Sequence, residues 1–168
     1  MDPDNQYYED GVQRVLRLMK DTFGDYFKAY FNGELLNVTE EFLPCIMVTT
    51  STAQVVSGPT TADDIVETVI VIIVENKKDD IGADAETDLT DFRVRKLIMG
   101  QDPATAQYLP NTVLYAIRKH LTMGNDTLQS DTTVDFTPNT RGATQEIATQ
   151  EGYVTISIKR RIYVPSRD

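Results

Sequence analysis

The amino-acid sequence predicts an α+β fold, in which a mixed, mostly antiparallel β-sheet is flanked by amphipathic helices and ends in a long C-terminal β-hairpin or arm. Eight of the ten residues at 65–74 are Ile or Val, and a run that is apolar on both faces is typical of a central, covered strand. Residues 153–164 alternate apolar and polar side chains, which predicts a strand with one core face and one wet or docked face. Three other segments carry apolar residues at helical spacing, and they supply the predicted helices.

The first element is predicted to be a helix over about residues 6–31. Asn32 and Gly33 follow it, and glycine readily adopts the left-handed conformation that ends helices. We interpret its apolar stripe as a core face, with a partner surface for part of it as the alternative. The stripe consists of Tyr8, Val12, Val15 or Leu16, Met19, Phe23, Phe27 and Tyr30.

Two strands are predicted next. The first covers residues 43–49, with Pro44 at its entry, where a missing backbone donor is tolerated. Residues 51–64 are rich in Ser and Thr and fit either an irregular edge strand or a turn. The central strand follows and ends at Glu75.

Two further helices are predicted in the middle of the chain. Asp88 or Thr90 caps the first of them, which runs to about Gly100. The second covers residues 110–123, with Pro110 in its first turn, where proline is favoured.

The last part of the chain, about residues 127–164, is predicted to be the hairpin, with its strands joined by the loop 137–142. The whole chain of 168 residues is close to the common size of one domain. We therefore expect a single domain built from the N-terminal helix, a sheet and helix core at about 43–123, and this hairpin.

The composition predicts a soluble, acidic protein. Hydrophobic residues make up 40% and charged residues 25%, and no apolar run reaches the ~20 residues of a membrane span. The net charge of −10 disfavours binding to nucleic-acid phosphates, which draws its affinity from Lys and Arg. An acidic wall would nevertheless suit a passage through which DNA slides without sticking.

No motif in the sequence predicts catalysis, a cofactor or a metal site. The single Cys45 excludes an internal disulfide and a cysteine-rich metal site, and we interpret it as a small buried hydrophobe. The single His120 is interpreted as a solvated residue near a helix end. The nine glycines lie in no phosphate-binding pattern. We expect a protein that is not an enzyme.

The segment at 79–91 concentrates acidic residues and contains no basic residue. It resembles a calcium loop only poorly, because Leu89 stands where such a loop needs glycine and no glutamate follows at the twelfth position. We interpret the segment as a solvated loop that leads into a helix, whose N-terminus favours negative charge. Its acidic residues are Asp79, Asp80, Asp84, Glu86, Asp88 and Asp91.

A basic cluster, Lys159-Arg160-Arg161, lies on the alternating strand. Arg160 shares the apolar face of that strand, so we expect it either at the exposed end of the strand or paired with an acid across an interface. An arginine that extends along the rim of the strand is the alternative.

This order of elements resembles that of tailed-bacteriophage tail terminators, or tail-completion proteins of the neck region. The resemblance covers most of the chain and rests on the N-terminal helix, the run Leu43-Pro44-Cys45-Ile46-Met47-Val48, the apolar central strand, the two middle helices and the final strand. The stretch at 126–152 is longer than a compact terminator would need, and we interpret it as an arm that reaches a neighbour.

The resemblance implies a non-enzymatic structural protein of the virion, assembled in the host cytoplasm, without cofactor or membrane. It implies a ring of identical subunits, commonly a hexamer, that caps the tail tube and joins it to the neck or connector, with DNA passing through the lumen without specific binding. Under this interpretation the acidic segment supplies the lumen, and the final hairpin supplies the subunit interface. The expected interface residues are Arg141, Tyr153, Lys159, Arg160, Arg161 and Tyr163.

Three alternatives stay open at this point. The chain could form another ring of the same region, as a neck or head-completion protein or a tail-tube subunit. It could be a small acidic enzyme or ligand-binding domain that uses the helix and sheet junction near residues 92–97. It could also be a cytosolic adaptor that forms no ring.

Overall fold

The computed structural model describes residues 10–57, 61–120, 131–142 and 146–165, and the backbone of residues 126–128. Three helices lie within these ranges: α1 (Gly11–Phe23), α2 (Thr90–Met99) and α3 (Val113–His120). The strands are β1 (Ala29–Asn32), β2 (Cys45–Ser57), β3 (Ala62–Asn76), β4 (Gln101–Asp102), β5 (Gln107–Tyr108), β6 (Asp126–Leu128), β7 (Thr133–Arg141) and β8 (Ile147–Tyr163).

Six of these strands form one sheet in the order β1-β2-β3-β8-β6, and β7 pairs with β8 on the same edge as β6. Only β1 and β2 run parallel, and all other pairs are antiparallel. The protein is therefore α+β with a mixed, mostly antiparallel sheet and a long C-terminal hairpin, as the sequence predicts. Strands β4 and β5 form a separate two-stranded ribbon.

The central strand is β3, which pairs with β2 on one side and β8 on the other. Val69, Val71 and Ile73 face the helices, where residues of α1, α2 and α3 complete the larger core. Ile72 and Val74 face the opposite side, which the segment before β2 and the start of β8 cover. The prediction of a strand covered on both faces is confirmed for residues 71–74, whereas residues 65 and 66 are only half-buried.

The N-terminal helix is shorter than the sequence predicts, because α1 ends at Phe23 instead of residue 31. Gly24 adopts φ 53° and its N–H donates to the carbonyl of Lys20, which closes the last turn. Phe27 is buried and packs edge-on against Phe23, so it continues the apolar stripe without continuing the helix. Tyr30 lies in β1. The predicted start at residue 6, including Tyr8, lies outside the described residues.

Residues 51–64, for which an edge strand and a turn were both open, belong mainly to β2 and β3. A bulge between Thr50 and Thr52 shifts the register of β2 against β3. Because one extra residue reverses the alternation, side chains of β2 change faces at this point. The bulge coincides with the end of the core, since β2 is buried through Val48 and exposed from Thr50 onward.

The ends of α2 and α3 differ from the predicted ones. The side chain of Asp80, not that of Asp88 or Thr90, satisfies the start of α2, because its carboxylate accepts from the backbone N–H and the hydroxyl of Thr90 at 2.6 and 2.9 Å. The third helix starts at Val113, three residues after Pro110. Its predicted end beyond His120 lies outside the described residues.

The hairpin forms between β7 and β8, but the predicted loop at 137–142 is wrong through residue 141, which still belongs to β7. The strand continues through Pro138, on an edge where proline is tolerated. Phe136 lies opposite Gly152, over which α2 packs so closely that an added Cβ would lie 2.6 Å from Val94 Cγ1. Glycine is therefore required for helix and sheet to touch here.

Candidate assembly surface

One end of the sheet extends beyond the helices of the described ranges, and we call this part the β-arm: residues 50–57 of β2, 62–66 of β3 and 159–163 of β8. All eight residues of β2 in the arm are exposed. Strand β1 pairs with β2 only as far as Val48, and in the described part of the chain no strand covers the outer edge of β2 beyond that residue. The arm therefore presents an open row of backbone donors and acceptors.

Apart from the bulge between Thr50 and Thr52, the open edge lacks the usual protection against pairing with another chain. Its sequence, Thr-Ser-Thr-Ala-Gln-Val-Val-Ser, contains no charged residue and no proline. Charges, prolines and short lengths are the features that normally prevent edge strands from associating. An uncharged edge of eight residues is thus suited to accept a strand from a partner.

Apolar side chains of the arm reach solvent on both faces of the sheet. Val55 lies opposite Ile65 on the face that carries the helices and is 59% exposed, and Ile162 is 41% exposed on the same face. Val56 is exposed on the other face, as is Tyr163 at 69%. The prediction of one apolar core face along the whole of residues 153–164 is wrong beyond Ile158, because Ile162 and Val164 are exposed and none of the described helices covers them.

The basic cluster lies on the arm, with Lys159 and Arg161 on the face away from the helices. Arg161 Nε donates to Asp64 Oδ1 at 3.0 Å, and Lys159 Nζ lies 3.5 Å from Asp64 Oδ2. The hydrogen bond from Arg161 and the two positive charges lower the pKa of Asp64. These predicted interface residues remain at the surface, where they also pair across the sheet. Arg160 lies half-buried on the opposite face.

Arg141, one of the predicted interface residues, lies inside the subunit. Its side chain is 2% exposed and donates from Nε and Nη2 to the two carboxylate oxygens of Glu151 at 2.8 and 2.7 Å. It also donates to Glu34 and to the carbonyl of Leu35. The guanidinium therefore joins the hairpin to the loop after β1, and its donors are used inside the subunit.

Tyr153 belongs to the same internal cluster, because its hydroxyl donates to Glu151 Oε1 at 2.6 Å. Burial alone would raise the pKa of Glu151, but hydrogen bonds from Arg141, Thr149 and Tyr153 lower it below the ordinary value. Glu151 was not among the predicted site residues. It lies before the alternating run at 153–164, and residues 147–152 show no alternation that would indicate a buried carboxylate in need of a cation.

The predicted lumen acids divide into two groups. Four of them contact an arginine or a backbone N–H group in the described structure: Asp79 contacts Arg93 at 3.3 Å, Asp91 contacts Arg95 at 3.0 Å, Asp80 accepts at the start of α2, and Asp84 accepts from the backbone N–H groups of residues 86 and 87. Those backbone hydrogen bonds lower the pKa of Asp84. Glu86 and Asp88 are exposed beside them. The segment is thus a solvated acidic loop that leads into α2, and part of its charge is neutralised by arginines.

The remaining chemistry-bearing residues have structural positions. Cys45 is fully buried, and burial raises the pKa of its thiol to about 12, which makes it unreactive at neutral pH. His120 is exposed at the end of the described part of α3. Both interpretations are confirmed. Across the described ranges no three His, Cys, Asp or Glu side chains are grouped to hold a metal ion, and none of the helices there has the length and apolar character to cross a bilayer.

Comparison with known proteins adds no identification to this geometry. No family model matches the chain, and no curated protein matches it.

Proposed function

We propose that this protein is a structural component of a tailed-phage virion that forms a ring at the head-to-tail junction, as a tail terminator that caps the tail tube and joins it to the neck. The observation that carries the proposal is the β-arm, with its uncharged open edge and its apolar side chains exposed on both faces. Heterologous contacts, in which one surface meets a different one on the next copy, generate rings when the rotation closes.

The charge of the molecule suits a ring around DNA. The chain carries 26 acidic and 16 basic residues, and Glu86 and Asp88 remain exposed in the acidic loop. A lumen lined by this loop would repel the phosphate backbone and keep contacts with passing DNA weak. The same repulsion between subunits would weaken the ring at low ionic strength, where charges are poorly screened.

The proposal is tested by placing charge on the arm. We expect the double substitution Val55→Lys with Val56→Lys to leave the subunit folded, because both side chains are exposed, but to prevent assembly, because charged side chains block edge pairing. Assembly is followed by light scattering and negative-stain images, with tube and neck proteins added where the protein alone forms no ring.

The matched control is Leu36→Lys with Ile81→Lys, which places two lysines on apolar residues that are more exposed than Val55 and Val56 and lie outside the arm. This variant should assemble like the unmodified protein. If both variants assemble normally, the arm is not the interface. Rings that bind only tube or only neck proteins would distinguish a terminator from the other ring proteins of this region.

A further inference from the structure

A cavity of about 650 Å³ lies beside α1 and α2, and none of its lining residues belongs to the β-arm. It is bounded by the end of α1, one face of α2 and the segment that precedes α3. Cavities of ~300–1,000 Å³ with apolar walls and a few convergent polar groups are the usual sites of small ligands. The volume and position therefore raise the question of which ligand it fits.

The walls of the cavity are apolar and aromatic. Phe23 and Tyr26 contribute rings from the chain at the end of α1, Phe92 contributes a ring from α2, and Leu97 and Leu109 complete the surface. Flat rings of this kind bury large areas and favour other aromatic groups. The body of a fitting ligand is therefore aromatic or apolar.

One part of the lining is cationic. Arg93 and Lys96 are three residues apart on α2 and so lie on one face of the helix, within reach of a common anion. In the described structure Lys96 forms no ion pair, and the side chain of Arg93 is 33% exposed. The contacts of Arg93 with Asp79 and the buried Glu75 are made through Nη2.

Asp88 is the one carboxylate among the described residues that line the cavity, and it is exposed. Because Arg93 also pairs with Asp79 and Glu75, the positive charge without a partner carboxylate in the described ranges comes from Lys96, and the hydrated Asp88 opposes a bound anion only weakly. We propose that this cavity binds a small ligand with an aromatic or apolar body and one anionic group, such as a carboxylate or sulfonate, held by Arg93 and Lys96. This site is separate from ring assembly and goes beyond the proposed function.

The test uses 8-anilino-1-naphthalenesulfonate as the probe and N-phenyl-1-naphthylamine, which lacks the sulfonate, as its neutral counterpart. Fluorescence titration should show one saturable site for the sulfonate. Lys96→Gln should weaken its binding by about tenfold, as expected for loss of a charge-assisted contact. Asp88→Asn should strengthen it, and neither substitution should change binding of the neutral probe.

Two controls separate this site from general apolar surface. Lys20→Gln, on the exposed side of α1, removes the same charge away from the cavity and should leave binding unchanged. The Val55→Lys and Val56→Lys variant should also bind the sulfonate normally. The proposal is overturned if the sulfonate shows no saturable site, if Lys96→Gln behaves as Lys20→Gln does, or if the substitutions alter both probes equally.

Discussion

Single residues explain why the two ends of the sheet behave differently. Around Arg141 and Glu151 a charge pair lies inside the subunit and is fully hydrogen-bonded, whereas Arg161 and Asp64 form a pair of similar geometry at the surface of the arm. A buried charge that loses its partner keeps its desolvation penalty, but an exposed charge is hydrated by water. The two arginines therefore differ in their importance for folding.

We expect Arg141→Ala to lower the free energy of unfolding by about 3–5 kcal/mol, because it leaves Glu151 buried without its cation. Arg161→Ala removes the same side chain from an exposed pair and should have a far smaller effect. Urea unfolding followed by circular dichroism measures both. Equal losses for the two variants would show that the buried pair has no special role.

Glu75 is a second buried carboxylate. It is 1% exposed and accepts a hydrogen bond from the Tyr26 hydroxyl at 3.0 Å. Burial raises the pKa of Glu75 above its ordinary value of 4.5. The folded state therefore holds this proton more tightly than the unfolded state, and stability should fall as pH rises from about 4.5 through the raised pKa.

Glu75→Gln removes that titration, so the variant should lose less stability than the unmodified protein between pH 4.5 and 7. Thermal midpoints measured across this range test the difference, with the exposed Glu86→Gln as control. The lowered pKa of Glu151 acts in the opposite sense and in a different window, since its contribution is lost as pH falls below about 4.5. Parallel curves for all three proteins would contradict the assignment to Glu75.

At the scale of elements, the acidic loop both supports α2 and carries charge that the fold does not use. The side chain of Asp80 accepts a hydrogen bond from Thr90, the first residue of α2, and Asp79 pairs with Arg93 one turn later. Asp84, Glu86 and Asp88 are exposed, and the hydrogen bonds that Asp84 and Asp88 accept come from residues of the same loop. The loop thus separates into a structural part and a part that is available for function.

We expect Asp80→Ala to destabilise the protein by about 1 kcal/mol, the usual effect of losing a helix cap. The triple substitution Asp84→Asn, Glu86→Gln and Asp88→Asn should leave the unfolding midpoint unchanged, because asparagine still accepts the backbone hydrogen bonds. Urea unfolding of both variants is the measurement. If the triple variant unfolds the subunit, the loop is structural throughout and its role in a lumen is excluded.

At the scale of the whole molecule, the fold class and the central strand were predictable because both depend on periodicity, which a single chain displays. The β-arm was not predictable from the sequence. Its exposure depends on where the helices stop covering the sheet, and the alternation of residues 153–164 continues past that point. The role of Arg141 depended on register, which places it beside Glu151 only after β7 and β8 pair. The end of α1 at Gly24 was missed because the apolar stripe continues past it, through Phe27 and Tyr30.

The candidate site was predictable in part. The acidic loop and the exposed basic residues of β8 were recognisable by residue type, whereas the open edge of β2 requires knowledge of which strand pairs where. The junction near residues 92–97, considered from sequence as a ligand site, lines the cavity beside α1 and α2. Residue types thus indicated candidate surfaces, and the sheet topology determined which of them are accessible.

The most direct test of the central claim is the mass of the purified protein in solution, measured by light scattering across concentration, alone and with tube or neck proteins. A ring-forming subunit should give a closed species whose mass is a small multiple of 18.9 kDa, commonly six copies, and negative-stain images should show rings. The variant with lysines at residues 55 and 56 should stay at the subunit mass. A subunit-sized species that never assembles with any virion component would contradict the account.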